Sequence, residues 1–490
     1  MDSRPNSLRR ASGGSAALVA ATATLASSAM WFGGTGLAPV WWLIWLAPLP
    51  ILLVSTRTSG WRAFWLAAIS WSLGCVNMWH YLVKAIELPL ALVVLSALVP
   101  ALLYAVTVLQ FRRFALRGAW WKAAFVFPTL WVSLEYLNNV TSPHATFGNL
   151  GYSQMDFLPV LQITSLTGIW GISFCMFLFA STLAIVIGTA GDFRTKKRLA
   201  TVVGLFLAAV LGYGYWRLHS TPASERAIRV GLMATGAASP YPQHDDDAVE
   251  LLRAYSAKAS DMAKLGTQII VMPEKIAVVS DQATSDVDTL YAGTALRANA
   301  HIVVGIDRGT ATKRWNEVRM YSPDGTLEAT YDKHHMVPRF EDVDQMGTKI
   351  TTLDQASGRW GVQICKDMDF PALSRQYGRE GVGLLLVPAW DFTLDGWLHG
   401  RMAIMRGVES GFTIARSAKQ GLLTVSDNRG RVLAQQDAAS VRFASLVTTL
   451  PVRHDDTLYA RWGDWFAWLN VAGFFAVVIS KTRQLAPENR

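Results

Sequence analysis

Three short stretches of the sequence end an apolar, strand-like run on a residue able to do chemistry. The first, 268–274, reads Gln-Ile-Ile-Val-Met-Pro-Glu and carries Glu274 past a proline at the end of a buried-looking strand. A carboxylate against apolar walls has a raised pKa and can take a proton from a nucleophile. An acid opening a helix in a turn would read the same in this stretch alone. The second, 331–338, reads Tyr-Asp-Lys-His-His-Met-Val-Pro and sets Lys333 directly after a strand. A fixed ammonium there can stabilise an oxyanion or favour a neighbouring thiolate. His334 and His335 point to opposite faces of an extended chain, and no third ligand follows at metal spacing, so no metal is expected. The third, 360–371, reads Trp-Gly-Val-Gln-Ile-Cys-Lys-Asp-Met-Asp-Phe-Pro, with Cys365 at the strand end and Pro371 opening the next helix-like segment. A thiol at a strand-to-turn junction is open to substrate, and Lys366 or Lys333 would favour its thiolate. Viewed alone, this cysteine could equally be structural. The other cysteines, Cys75 and Cys175, lie in apolar runs, where cysteine behaves as a small hydrophobe. Three widely spaced cysteines make neither a disulfide framework nor a paired metal motif.

The elements that must position these residues fall into two kinds. Of the 490 residues 51% are hydrophobic and only 17% charged, against about 25% charged in an average soluble domain. The mean hydropathy of +0.24 and the 20 Trp exclude a disordered chain and an ordinary soluble enzyme, and point to a membrane. Apolar runs of spanning length are expected at 15–32, 38–54, 62–82, 88–110, 119–138, 165–189 and 198–217, with an eighth at 464–480. Arg9 and Arg10 ahead of the first run also fit a cleaved signal peptide, but the spans that follow favour a retained anchor. Between these regions the apolar runs shrink. Strands are expected at 228–234, 268–272, 302–306, 318–321, 327–331, 360–364 and 383–387, and helices at 248–265 and 398–410. Strands alternating with helices imply an α/β layered domain. The expected organisation is a helical membrane domain over 1–217, an α/β domain over 218–463, and a last span with a short tail over 464–490.

Placement explains the net charge of +9. With a cytoplasmic N-terminus, the inner segments hold sixteen basic residues: Arg4, Arg9, Arg10, Arg57, Arg62, Arg112, Arg113, Arg117, Lys122, Arg194, Lys196, Lys197, Arg198, Lys481, Arg483 and Arg490. The short outer loops hold only Lys84. This positive-inside asymmetry puts the α/β domain outside and leaves a nucleic-acid partner little support. One cysteine in an outward domain suits an oxidising compartment. Asp245-Asp246-Asp247 reads as a solvated helix start.

Strand-Pro-Glu, strand-Asp-Lys-His and strand-Cys-x-Asp, in that order and about 60 and then about 30 residues apart, resemble the nitrilase (carbon–nitrogen hydrolase) superfamily. The resemblance implies a four-layer αββα sandwich with a Glu-Lys-Cys trio. Val387-Pro388-Ala389-Trp390-Asp391 resembles the family's strand-to-loop segment lining the site, which implies a substrate-binding place for Trp390. Arg401 to Glu409, then Ala415-Arg416-Ser417-Ala418, resemble the helix and strand that follow. With the spans added, the chain resembles the apolipoprotein N-acyltransferase family of bacterial inner-membrane enzymes, in which Lys333–Pro338 matches a "K-x-x-L-V-P" run. The implied roles are nucleophile for Cys365, base for Glu274, oxyanion lysine for Lys333, and supporting carboxylates for Glu341 and Asp367. The implied partners are a phospholipid acyl donor, an apolipoprotein acceptor and the bilayer; no metal or organic cofactor is implied. Lys366-Asp367 stands where the family has Tyr-Glu, Val337-Pro338-Arg339-Phe340-Glu341 lacks a glycine of "V-P-F-G-E", and 236–242 lacks a Gln-Gly-Asn signature and its Trp. The rival readings are a membrane-tethered amidase, suggested by the soluble-nitrilase-like 367–371, a paralogue with another acyl acceptor, and a non-catalytic membrane scaffold.

Overall fold

The computed structural model describes residues 6–220, 226–237, 245–310 and 312–479. Residues 238–242 of the departing signature, and Arg4, Lys481, Arg483 and Arg490 of the charge pattern, lie outside the described residues, as do the side chains of Arg9, Arg10, Asp245 and Asp246.

The strands form two sheets. In chain order they begin with β1 (Arg226–Thr235), β2 (Ile269–Val271), β3 (Val278–Val279), β4 (His301–Gly309), β5 (Arg314–Tyr321) and β6 (Leu327–Asp332). Then come β7 (Thr352–Gln355), β8 (Gly358–Val362), β9 (Leu384–Trp390), β10 (Thr413–Lys419), β11 (Leu422–Ser426) and β12 (Val432–Asp437), and β13 (Phe443–Val452) returns to the first sheet. The first sheet runs β13-β1-β2-β4-β5-β6 with β3 beside β4, and the second runs β12-β11-β10-β9-β8-β7. β1, β2 and β4 are parallel, as are β8, β9 and β10. Continuous runs such as Ile269-Ile270-Val271 and Leu384-Leu385-Leu386-Val387 are buried throughout, because a central parallel strand is covered on both faces.

Alternate side chains divide the core into layers. Val230, Leu232, Val271 and Val303 of the first sheet meet Trp360, Val362, Leu384 and Leu386 of the second. The opposite face of the first sheet, through Met233, Ile270 and Ile302, packs on the helices Asp245–Ala263 and Thr284–Ala298. In the second of these, Val287, Tyr291, Ala295 and Ala298 recur at helical spacing and all are buried. The outer face of the second sheet, through Leu385, Val387 and Ile414, packs on Pro371–Arg379 and Gly396–Ser410. The result is helix, sheet, sheet, helix, the layered α/β architecture expected from the strand pattern. All seven expected strands and both expected helices are present.

Each of the eight apolar runs contains helix, but among the described residues four helices are long and apolar enough to cross a membrane: Gly14–Gly34, Leu90–Ala115, Trp170–Gly188 and Phe193–His219. The 38–54 run is broken into Leu43–Leu46 and Leu49–Ser55 around Pro48, which has no N–H to give a helix. The 62–82 run is helical over Gly60–Gly74 and then tightens into short 3₁₀ and π turns. Trp120–Thr141 carries Lys122 and Glu135, which lower its hydropathy, and Trp465–Ile479 is 15 residues long. The 165–189 run is interrupted at Gly168, whose φ of +67° suits glycine and where a Cβ would meet the Tyr459 ring at 2.5 Å.

The helical part and the sandwich share a polar interface. Glu409, on Gly396–Ser410, accepts the Ile169 N–H at 2.8 Å and pairs with Arg406 at 3.1 Å, both side chains fully buried. Arg406 donates to the Tyr152 hydroxyl at 2.9 Å, Thr146 Oγ1 donates to the Asp369 carbonyl at 2.6 Å, and Tyr81 donates to Asp395 at 2.7 Å.

Candidate active site

Glu274, Lys333 and Cys365 follow the carboxyl ends of β2, β6 and β8, where open α/β sheets present their reactive groups. The chain leaves β2 through Met272-Pro273 and holds the Glu274 N–H on the Ala389 carbonyl at 3.3 Å. β4 passes so close that a Cβ at Gly305 would sit 2.4 Å from the Pro273 carbonyl oxygen. Lys333 is set by its own N–H, which donates to the Asn316 carbonyl of β5 at 2.9 Å. Cys365 opens the 3₁₀ turn Cys365–Asp369 at φ +43°, a left-handed conformation costly for a residue with a Cβ. Its neighbours are buried while Cys365 as a whole residue is half-buried.

The centre is a network of charges. Lys333 Nζ lies 2.8 Å from Glu274 Oε1 and 2.8 Å from Glu341 Oε2, and all three side chains are buried. Asn316 Nδ2 donates to both carboxylates, at 2.7 Å to Glu341. Glu341 also accepts the Val337 N–H at 2.7 Å and pairs with Lys275 at 3.0 Å. Burial opposes ionisation of Glu341, but Lys333 and Lys275 outweigh it and hold its carboxyl at about 2. Burial likewise opposes the Lys333 charge, yet Glu274, Glu341 and Cys365 keep its ammonium well above the ordinary lysine value. Burial, aided by Glu274, pushes the Cys365 thiol well up, against the pull of Lys333 and Arg416. The resting nucleophile is therefore a thiol, with Sγ donating to the Trp390 carbonyl at 3.5 Å, and it needs a base before it can attack.

Asp367 is fully buried and shapes the turn. It accepts the N–H groups of Ile364, His334 and His335 at 3.1, 3.2 and 2.9 Å, and the Tyr331 hydroxyl at 2.7 Å. It thereby ties the nucleophile's turn to the lysine's strand. His335 adds an Nδ1 contact to Asp367 at 3.0 Å and stacks on Phe370, and His334 stacks on Tyr331. Lys366 points away from the thiol, to Asp369 at 3.2 Å and His144 at 3.0 Å. The cations that pull on the thiol are Lys333 and Arg416. The Trp390 ring lies 3.3 Å from Lys419 Nζ.

Three residues of this network, Asn316, Lys275 and Lys419, carry no signal in the sequence. Asn316 is a lone amide inside a strand, and Lys275 reads as a solvated turn residue. Lys419 donates to the Lys275 carbonyl at 2.8 Å, and burial drives its ammonium down to about 7, against Glu274 and with Lys275. Arg416 pairs with Asp391 beneath the site; only the resemblance marked that segment.

Two facing sheets with a Cys-Glu-Lys centre at the strand ends define a carbon–nitrogen hydrolase domain, and residues 232–441 match that family. Residues 17–182 match the apolipoprotein N-acyltransferase N-terminal domain. Among curated relatives, the apolipoprotein N-acyltransferase of Geobacter metallireducens is 29% identical over 491 residues, 91% of each chain. That of Gloeobacter violaceus is 24% identical over 491 residues, 90% of this chain and 91% of its own. That of Bradyrhizobium diazoefficiens is 27% identical over 382 residues, 69% of each. The amidase of Nesterenkonia sp. superposes with a TM-score of 0.41 at 20% identity, over 51% of this chain and 98% of its own. The chain belongs to the apolipoprotein N-acyltransferase family.

Proposed function

We infer that the protein is an N-acyltransferase that moves a fatty acyl chain from a phospholipid to the α-amine of the S-diacylglyceryl-cysteine of apolipoproteins. The observation that carries the mechanism is the buried ammonium of Lys333, held between Glu274 and Glu341 and within electrostatic reach of the Cys365 thiol. Glu274 takes the thiol proton, and the thiolate attacks the ester carbonyl. Lys333 has three N–H donors, two on carboxylates, which leaves the third for the oxyanion. Collapse breaks the ester C–O bond, the lysophospholipid leaves with the proton from Glu274, and an acyl thioester remains on Cys365. The acceptor amine attacks this thioester, Glu274 takes the amine proton, and collapse breaks the C–S bond. The proton then returns from Glu274 to the sulfur.

In this reading all eight apolar runs lie in the bilayer, the helical domain covers 1–217, the catalytic domain covers 218–463 outside the cytoplasm, and 464–490 closes the chain in the inner membrane. Glu341 and Asp367 support the trio, and Trp390 lines the substrate path. Phe340, Val343 and Met346 are exposed on the loop after Lys333, and Arg339 on that loop contacts the Glu87 carbonyl of the helical part at 3.3 Å. An apolar loop at the lipid surface delivers two lipid substrates while limiting the water that would hydrolyse the thioester. Incubating the purified protein with phospholipid and a diacylglyceryl-cysteine peptide tests this by mass spectrometry. The expected products are an acyl thioester on Cys365 and then an N-acylated peptide; free fatty acid alone would overturn the transferase reading in favour of a hydrolase.

A further inference from the structure

A cavity of about 370 Å³ lies away from the catalytic centre. One wall is His454 and Asp455, and His454 bridges to Phe412 and contacts the Val382 carbonyl, just ahead of β10 and β9. Cys365 and Trp390 lie at the other ends of these strands. The seven residues of β9, at ~3.3 Å each, separate the two sites by roughly 20 Å.

The other walls are the end of the helix Phe193–His219, with Tyr213, Arg217 and the following Ser220, and the tip of the β11–β12 hairpin, with Arg429. The tip is held rigidly. Gly430 takes φ +81°, and a Cβ there would meet Leu161 at 2.8 Å. Gln162 donates to the Arg429 carbonyl at 2.8 Å, and Arg431 donates to the Leu218 carbonyl. Arg217 is 4% exposed and Arg429 5%.

The charges converge on one carboxylate. Asp455 is reached by Arg429, by Arg453 at 3.1 Å and by Arg217 at 3.5 Å. Arg429 Nε and Asn428 Nδ2 are buried and find no hydrogen-bond partner among the described residues, an arrangement native proteins rarely leave unfilled. Burial holds the Arg429 guanidinium below its ordinary value, against the pull of Asp455, and Arg453 adds to the depression. Asp456, at the rim, is paired to Arg461 at 2.6 Å. The chemistry that completes such a pocket is an oxyanion with several acceptor oxygens, because guanidinium forks match phosphate. Exposed Tyr215 and Trp216 lie at this end of the helix, Trp216 on the cavity wall, as aromatic residues do at the level of lipid headgroups.

We propose that the Arg217–Arg429 cavity binds the phosphodiester of a phospholipid headgroup, as a site separate from the acyl-transfer centre. This rests on the reading that Phe193–His219 spans the bilayer. A bound headgroup ties the hairpin of the catalytic domain to the end of that helix, and so fixes the domain against the membrane surface.

The test is native mass spectrometry of the delipidated full-length protein. It is titrated with dioleoylphosphatidylethanolamine, with dioleoylglycerol, which has the same chains and no phosphate, and with inorganic phosphate. The phospholipid is expected to bind about tenfold more weakly to R429Q, and to S220F, which fills the mouth without touching Asp455. R429K keeps the charge but loses the fork, and is expected to fall between; with S220F it carries the comparison if R429Q does not fold. Identical phospholipid titrations in wild type and variants would overturn the proposal. Equal occupancy by dioleoylglycerol, or an Arg429-dependent affinity for inorganic phosphate with unchanged lipid retention, would overturn the headgroup assignment. Thioester formation on Cys365 at saturating donor is expected to be unchanged in all three variants. If wild type itself forms no thioester, the acyltransferase reading fails while the lipid-binding difference still decides this site.

Discussion

Lys333 is shared by two buried carboxylates and felt by the nucleophile. Lys333→Met therefore removes the oxyanion donor and leaves Glu274 and Glu341 facing each other. Removing one partner of a buried pair costs about 3–5 kcal/mol. The single variant is expected to lose both thioester formation and thermal stability, and adding Glu341→Gln should recover part of the stability but none of the activity. If the double variant melts no higher than the single one, the two carboxylates do not repel as the geometry implies. Glu341 makes a pH prediction. Its folded value of about 2 lies below the ordinary 4.5, so its contribution is fully present above pH 4.5 and is lost as pH falls toward 2. The difference is worth up to about 3 kcal/mol. Melting of Glu341→Gln should be flatter than wild type across that window, and parallel curves would remove Glu341 from the network. Glu274, Lys333 and Cys365 could be read in the sequence because each stands just beyond the end of a strand-like run, whereas Glu341 stands in a loop nine residues after β6 and was marked only by the resemblance. Asn316, Lys275 and Lys419 could not, because a single polar residue within a strand or turn looks solvated until the second sheet is laid against it.

At the scale of elements, the short turn Cys365–Asp369 joins the two sheets' contributions to the site. Asp367 alone satisfies three backbone N–H groups, from Ile364, His334 and His335. Asp367→Asn is expected to cost about 1–3 kcal/mol of stability, since one amide oxygen replaces two carboxylate oxygens as acceptor. It should slow thioester formation by misplacing Sγ without moving the pH profile, because Asp367 reacts with nothing. A shifted profile would instead make it a proton carrier. The seven strands legible in the sequence are the apolar ones. β10 was visible only through resemblance: Thr413–Lys419 is buried at every position yet contains Arg416, Ser417 and Lys419, each satisfied by a distant group, Asp391, the Met233 carbonyl and the Lys275 carbonyl. β12 is largely exposed, and its apolar part is only Val432-Leu433-Ala434, too short a run to mark a strand. The apolar runs of the first half were legible as runs, but the break at Gly168 was not, because it answers to packing: it makes room for Tyr459, a residue nearly 300 positions later.

At the scale of the molecule, the helices have two distinct ends. Leu90–Ala115 starts beside Glu87, which contacts Arg339 of the catalytic domain, and ends at Arg112 and Arg113. Trp120–Thr141 starts near Lys122 and leads to Thr146, which holds the Asp369 carbonyl. Trp170–Gly188 starts at the Glu409 contact, and Phe193–His219 starts among Arg194, Lys196, Lys197 and Arg198 and returns to Arg217 beside Asp455. The basic clusters Arg112-Arg113, Lys122 and 194–198 lie at the helix ends away from the sandwich, and Arg217 at the near end is paired with Asp455, which supports the positive-inside orientation through contacts that the charge count never used. Glu409 is the tie most worth breaking. Glu409→Ala strands the Arg406 guanidinium and the Ile169 N–H in a buried interface, and should cost about 3–5 kcal/mol, read as a lower melting temperature in detergent. The orientation has its own test. Lys264 is 75% exposed on the catalytic domain, and Arg117 is exposed in a loop at the basic ends. With Cys365 replaced by Ala, K264C is expected to react with a membrane-impermeant maleimide in cells with a permeable outer layer but an intact inner membrane, and R117C only after that membrane is opened. The reverse pattern would put the catalytic domain in the cytoplasm, where the proposed acceptor amine at the outer surface is out of reach.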